Sequence, residues 1–211
     1  MLEAATWGVA TLRPARKPLH PDGEVVRGRI LRHGTEEPTG VAWLDEPGED
    51  DVVARRSRAI GLPRRLPDIQ GLAVRVRVSG ADGDILFATT GLGRLTRFVL
   101  TASRHPRTRP LTTLLPYATD SGPVLLAAEG SERGTYDLSW AHASGEWHPF
   151  GVLLLSTVRA DAEISFDPVL HQIPGLRQYA SVRRLREPAY LRARRSRADS
   201  HPTLEEIDHV H

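Results

Sequence analysis

The side chains able to move protons, hold a metal or clamp an anion are unevenly spread along these 211 residues. His20 stands in His20-Pro21-Asp22-Gly23, where an imidazole and a carboxylate lie two residues apart. Such a pair is material for general acid–base work, or for a metal-dependent phosphodiester hydrolase, although the chain offers no recognised metal-ligand spacing. Arg55 and Ser57 stand two residues apart in Val53-Ala54-Arg55-Arg56-Ser57. Farther on, Arg186, Tyr190 and Arg197 succeed one another within a strongly basic stretch. His209 and His211, with Glu205, Glu206 and Asp208, also have metal-binding chemistry, but a polar tail is a poorly preorganised site.

Absences narrow the classes further. There is no cysteine, which excludes disulfides, thiolate metal sites and a thiol nucleophile. No GxGxxG, P-loop or GxSxG element occurs, so dinucleotide, nucleoside-triphosphate and α/β-hydrolase chemistry lack support. Lys17 is the lone lysine; the other basic residues are arginine, and the net charge is only +2. A GC-rich coding sequence explains part of that bias, and the balance is too even for a nucleic-acid binder. No apolar run reaches spanning length and no charged start leads into an apolar run. A soluble, cytoplasmic protein without membrane or nucleic-acid partners is expected. The chain also contains no asparagine.

The elements that must carry these residues read as β-structure. Residues 24–32 partly alternate, and Leu72-Ala73-Val74-Arg75-Val76-Arg77-Val78 alternates cleanly, valines one way and arginines the other. Residues 79–83 predict a hairpin with a somewhat long loop into 84–88, and 123–128, 135–140 and 151–156 predict further strands. Short strands with frequent Gly and Pro argue for an antiparallel sheet closed into a barrel. Helices are predicted over 92–103 and over 187–197, where Pro188 suits a first turn. The expected organisation is one domain, 1–198, with a polar tail over 199–211.

The order of the motifs resembles the haem catalases and their shorter catalase-related relatives. His20 and Gly23 match an H-x-x-G element, and Arg55 and Ser57 an R-x-S element. Asp68, Gly71, Leu72, Ala73, Val74, Arg75 and Val76 match D-x-x-G-F-A-V-K-F; Asp84-Ile85 matches W-D-[IL], with Gly83 in place of tryptophan. Phe166, Pro168, Pro174, Gly175 and Leu176 match F-x-P…P-G-[IL], and Arg186, Tyr190 and Arg197 match the proximal R-x-x-x-Y-x6-R. The resemblance implies a mainly β, antiparallel catalase-like barrel with a few helices, reduced to the bare barrel, its C-terminal helix carrying the haem-ligand tyrosine.

It further implies haem b, with Tyr190 as axial ligand to the iron, Arg186 tuning that phenolate, and Arg55 and Arg197 at the propionates. His20 would take a peroxide proton and return it to the leaving oxygen, with Ser57 holding its ring. The family's distal asparagine has no counterpart; the matching stretch is Phe87-Ala88-Thr89-Thr90, where Thr89 or Thr90 is the substitute hydroxyl. Phe98 lies in the region of the family's haem-stacking phenylalanine, and Arg16 or Lys17 in that of its distal arginine. A peroxidase-type reduction of hydrogen peroxide or an organic hydroperoxide, using a small-molecule electron donor, is therefore expected over efficient disproportionation. A homodimer is allowed. The alternatives are a non-catalytic barrel whose cavity binds haem or another apolar ligand, and the metal-dependent hydrolase.

Overall fold

Alternating side chains close this chain into a barrel with an apolar core. The structure is a computed structural model, and it describes residues 23–63, 65–105, 108–160 and 164–180. Ten strands form the sheet: β1 (Glu24–Arg32), β2 (Gly48–Arg58), β3 (Gln70–Val78), β4 (Ala81–Thr89), β5 (Leu111–Thr112), β6 (Tyr117–Thr119), β7 (Gly122–Gly130), β8 (Thr135–His142), β9 (His148–Arg159) and β10 (Arg177–Gln178). Eight of them run in the order β7-β5-β4-β3-β2-β1-β9-β8, and β8 pairs back onto β7 to close the ring. β6 and β10 extend β7 outside that ring. All pairings are antiparallel. The expected mainly β antiparallel barrel is the fold observed.

One face of each strand fills the lumen. Val26 and Ile30 of β1, Val52 and Ala54 of β2, Leu72, Val74 and Val76 of β3, and Ile85 and Phe87 of β4 are all buried. From the opposite wall come Leu126, Tyr136, Trp140, Phe150 and Leu153, each at most 1% exposed. Among the described residues these side chains form one apolar cluster inside the ring.

Local chemistry departs from the sequence reading at two connections. The β3–β4 loop is tighter than expected, just Ser79 and Gly80, at φ 49° and 82°. Two consecutive positive φ values match the twist of the flanking strands, which is why glycine serves at the second. The helix expected over 92–103 is absent; a single 3₁₀ turn, Thr96–Phe98, stands there. Its would-be helical carbonyls are taken elsewhere. Leu92 O accepts from Trp147 Nε1 (2.9 Å) and Arg97 Nη2 (3.0 Å), while Thr101 N donates to Thr89 O and Ser103 N to Asp68 O. The helix expected over 187–197 lies outside the described residues. A one-turn helix, α1 (Ala42–Asp45), follows β1 and buries Trp43 and Leu44.

Buried carboxylates close the barrel ends. At one end, Asp50 Oδ2 accepts from Arg32 Nε (2.8 Å) and Trp43 Nε1 (3.0 Å), and Arg32 also reaches the Trp43 and Glu46 carbonyls. At the other, the Asp68 carboxylate accepts the amides of Ile60, Gly61, Leu62 and Ile69 at 2.7–3.0 Å. Each such charge-assisted bond is stronger than a neutral one, and losing the acceptor strands several amides at once. Replacing Asp68 by Ala is expected to lower unfolding free energy by about 2–4 kcal/mol in urea titration, with loss of amide protection over 60–62.

Candidate functional site

Side chains of β2–β4 that alternate with these core residues project outward. On β2, Val52 and Ala54 face in, so Val53, Arg55 and Ser57 face out. Register then builds two rows across the outer face. One runs Val25–Arg55–Ala73–Leu86, the other Ser57–Gly71–Ala88. Gly71, Ala73 and Ala88 are half-buried and small, so the middle of this face is a low platform beside Arg55 and Ser57.

Glycine is required at two edges of the platform. A Cβ on Gly23 would run into the Arg55 guanidinium, so the arginine lies across the Gly23 backbone. A Cβ on Gly71 would fall 2.8 Å from Ser57 Oγ. The glycine of the H-x-x-G element and the arginine of the R-x-S element, 32 residues apart in sequence, are thus in contact. Burial pushes the Arg55 pKa down, as expected for a guanidinium packed against backbone and apolar side chains.

Thr89 is not part of this face. It is wholly buried, on the inward side of β4 with Ile85 and Phe87. Its single hydroxyl proton goes to Thr101 O (2.6 Å), and the oxygen accepts from Gln70 N (3.1 Å). The strand's alternation puts Ala88, not Thr89, beside Ser57 and Gly71. Thr90 is equally buried and spends its hydroxyl on Gly91 O and Thr112 Oγ1. Phe98 closes the 3₁₀ turn over 96–98. His20, Arg186, Tyr190 and Arg197, and with them Arg16 and Lys17, lie outside the described residues. So does the histidine–carboxylate set of the tail.

A second constellation was not singled out from the sequence. Arg75, on the outer side of β3, holds Asp84 of β4 with two bonds of 2.7 Å, Nε to Oδ1 and Nη2 to Oδ2. Its remaining Nη2 proton goes to Ser165 O (2.8 Å). His171 Nδ1 lies 2.9 Å from Asp84 Oδ2 and 2.8 Å from Arg75 Nη2, so the partly exposed imidazole is held against both partners of the pair. Asp167 N donates to the same oxygen at 2.6 Å, and the Phe166 ring lies 5.5 Å from the Arg75 guanidinium carbon. The hydrogen bond to Asp84 raises the Arg75 pKa against the opposing effect of burial. Arg75, Asp84, Phe166 and Asp167 come from three separate motif segments. The residue no motif marked is His171, and nothing short of the tertiary contact distinguishes it from the other histidines.

Gly83 stands where the resembled family has tryptophan, and the space is used. A Cβ there would collide with Ile173, which is buried against the core from the other side of the loop. Gly175, at φ 88°, brings its backbone against Val41 and seats Leu176 in the core. The segment 165–178 is therefore clamped to the barrel by one charged knot and two apolar plugs.

Among solved structures, a fungal catalase determined at 1.9 Å superposes with a TM-score of 0.55 at 11% sequence identity. The match covers 80% of this chain. This is a catalase-like barrel fold. The chain spans 56% of the length of that catalase. No family model matches the sequence, and no curated protein matches it. Among the described residues, no three histidine, aspartate, glutamate or cysteine side chains gather as a metal would need, and no helix is long and apolar enough to cross a membrane.

The Arg75–Asp84 pair is buried enough that removing one partner strands the other. Asp84→Asn is expected to destabilise the protein by about 3–5 kcal/mol. Hydrogen exchange should speed up first over 165–178, ahead of β2 and β3; uniform acceleration across the barrel would contradict the clamp.

Proposed function

We propose that this protein binds haem on the outer face of β2–β4 and reduces peroxides in a peroxidase-type reaction. The observation that carries the reading is the joining of Gly23, Arg55 and Ser57 beside the small-residue platform of Gly71, Ala73 and Ala88, on a barrel of catalase topology. A planar macrocycle needs a low surface without protruding side chains, and the carboxylates at its edge need an arginine fork. Both are present, so the described residues fit the group.

Tyr190 would hold the iron, Arg186 would keep that phenol ionised, and Arg55 and Arg197 would pair with propionates. When bound, the haem supplies the redox centre at which the O–O bond is broken. His20 would take the proton of the hydroperoxide and return it to the departing oxygen, so that water or an alcohol leaves neutral. Two electrons and two protons from a small-molecule donor balance the reduction to water and an alcohol, or to two waters. Ser57 would orient the imidazole through its hydroxyl.

The commitment of the Thr89 hydroxyl to Thr101 O, and of the Thr90 hydroxyl to Gly91 O or Thr112 Oγ1, favours peroxidase over catalase chemistry. Disproportionation needs a second peroxide positioned by a distal donor, and neither threonine has a proton to offer outward. An organic co-substrate that donates electrons at the haem edge makes no such demand.

The test is a titration of the purified full-length protein with ferric haem, read by visible spectroscopy. A saturable complex near one-to-one with a high-spin tyrosinate-type spectrum is expected, followed by turnover with hydrogen peroxide or an organic hydroperoxide and a reducing dye. Tyr190→Phe should abolish that spectrum. Arg55→Ala should weaken binding by roughly tenfold, the loss of one charge-assisted bond, with the fold intact by circular dichroism. Non-saturable binding, or an unchanged spectrum in the Tyr190 variant, would refute the assignment.

A further inference from the structure

The end of the barrel where β2 gives way to β3 carries an asymmetry that the net charge conceals. Residues 52–67 include Arg55, Arg56, Arg58, Arg64 and Arg65 and no acid. Residues 85–119 include Arg94, Arg97, Arg104, Arg107 and Arg109 and again no acid. The connections 59–69 and 90–110 emerge at this same end, because β4 runs antiparallel to β3 and β3 to β2. They are tied together: Asp68 N donates to Ser103 O (3.0 Å), Ser103 N to Asp68 O (2.8 Å), and Gln70 Nε2 to Ser103 O (2.8 Å). The acid between them, Asp68, is buried. Glu129, near the end of β7, and Glu132, on the β7–β8 connection, lie across the end; nearer at hand, Glu24 faces Arg56 at 3.6 Å and Glu146 acts on Arg97, so the basic character centres on Arg65, Arg104 and Arg109.

The same sector exposes large aliphatic side chains. Ile60 is 56% exposed, Leu62 37% and Leu66 49%, all within one short loop; Leu95 (82%) and Val99 (55%) lie on the neighbouring connection. Arg65, Arg104 and Arg109, on the same two connections, are also exposed. Clustered apolar groups in water mark an interaction surface rather than ordinary scatter. Nor is this loop slack. Asp68 gathers the amides of Ile60, Gly61 and Leu62, and Arg58 Nη2 donates to Leu66 O (2.7 Å) and Pro63 O (3.4 Å). The apolar tips are therefore held outward by buried polar bonds.

We propose that this rim docks on an anionic lipid bilayer, with Ile60, Leu62 and Leu66 entering the acyl boundary and Arg65, Arg104 and Arg109 at the level of the phosphates. Aliphatic tips flanked by cations are the chemistry of interfacial attachment, where apolar burial and electrostatic attraction add. A second copy of the chain is disfavoured, because a two-fold contact would set arginines against arginines. A single-stranded nucleic acid would call for aromatic stacking surfaces, whereas these exposed side chains are aliphatic. The proposal stands apart from the haem reading and requires no haem.

The full-length protein is mixed with vesicles of phosphatidylcholine alone, or with roughly a third phosphatidylserine, and centrifuged at low and high salt. Partitioning at least about tenfold higher to the anionic vesicles, falling as salt rises, is expected. The double variant Ile60→Asp, Leu62→Asp should lose about tenfold in binding with an unchanged circular dichroism spectrum. The pair Arg65→Gln, Arg104→Gln should lose selectivity for anionic lipid while remaining folded. Equal or absent binding to the two vesicle types would overturn the proposal. So would anionic binding that ignores the Ile60 and Leu62 changes, since basic segments alone would then explain it. Concentration-dependent dimerisation abolished by those same changes, or equally tight binding to a single-stranded oligonucleotide, would overturn it in favour of those partners.

Discussion

The arrangement of this protein's outer wall follows from the apolar core inside the barrel. The period-two alternation of a strand gives each residue one of two destinations, and here the inward one is filled by Trp140, Tyr136, Phe150 and the aliphatic residues opposite them. Chemistry is consequently displaced to the outside wall. On that wall, the cross-strand register decides which residues meet: Arg55 opposes Ala73 and Val25, and Ser57 opposes Gly71. A one-residue slip of β2 would turn Arg55 and Ser57 into the core and expose Ala54. The packed interior therefore defines the candidate site as firmly as any residue within it.

Arginine's dominance over lysine acquires a structural use in this setting. Three aspartates that are almost wholly buried, Asp50, Asp68 and Asp84, each have an arginine within salt-bridge distance. Arg75 engages both oxygens of Asp84 and a carbonyl besides; Arg32 spans Asp50 and two carbonyls. An ammonium has no planar fork and would leave part of each acceptor set unsatisfied. Arg97 extends the pattern without a carboxylate. It lies 4.6 Å from the Trp147 ring and donates to the carbonyls of Leu92, Gly93 and His142, with burial lowering its pKa. Codon bias accounts for surface arginines, but these positions use the group's geometry.

The strands were legible because alternation survives in them: Val74 and Val76 against Arg75 and Arg77 say which way β3 faces before any coordinates exist. Order along the chain likewise put Gly23 with Arg55, and Asp84 with Phe166, into one framework. What stayed hidden was the direction of individual hydroxyls and rings. Thr89 sits one residue from the outward Ala88, so the sequence places it near the platform while the pleat turns it away. His171 gains its meaning from Arg75 and Asp84, nearly ninety residues earlier. The 92–103 segment has helical spacing, yet side chains from Arg97 and Trp147 capture the carbonyls that a helix would use. Local pattern gave way to long-range hydrogen bonding in each case.

The outer platform and the basic, apolar rim are adjoining parts of β2 and its continuation. Ser57 belongs to the platform, whereas Arg58, the next residue, faces the barrel end and reaches the Leu66 and Pro63 carbonyls. Asp68 closes the loop by taking the Ile60, Gly61 and Leu62 amides, two residues before β3 begins and three before Gly71. A force on the loop is thus transmitted to the strand ends that flank the platform, through charge-assisted bonds in a buried setting where they are stiff. The two surfaces have separate chemistry, but they share the end of β2 and the start of β3, and Asp68 ties the loop between them to both.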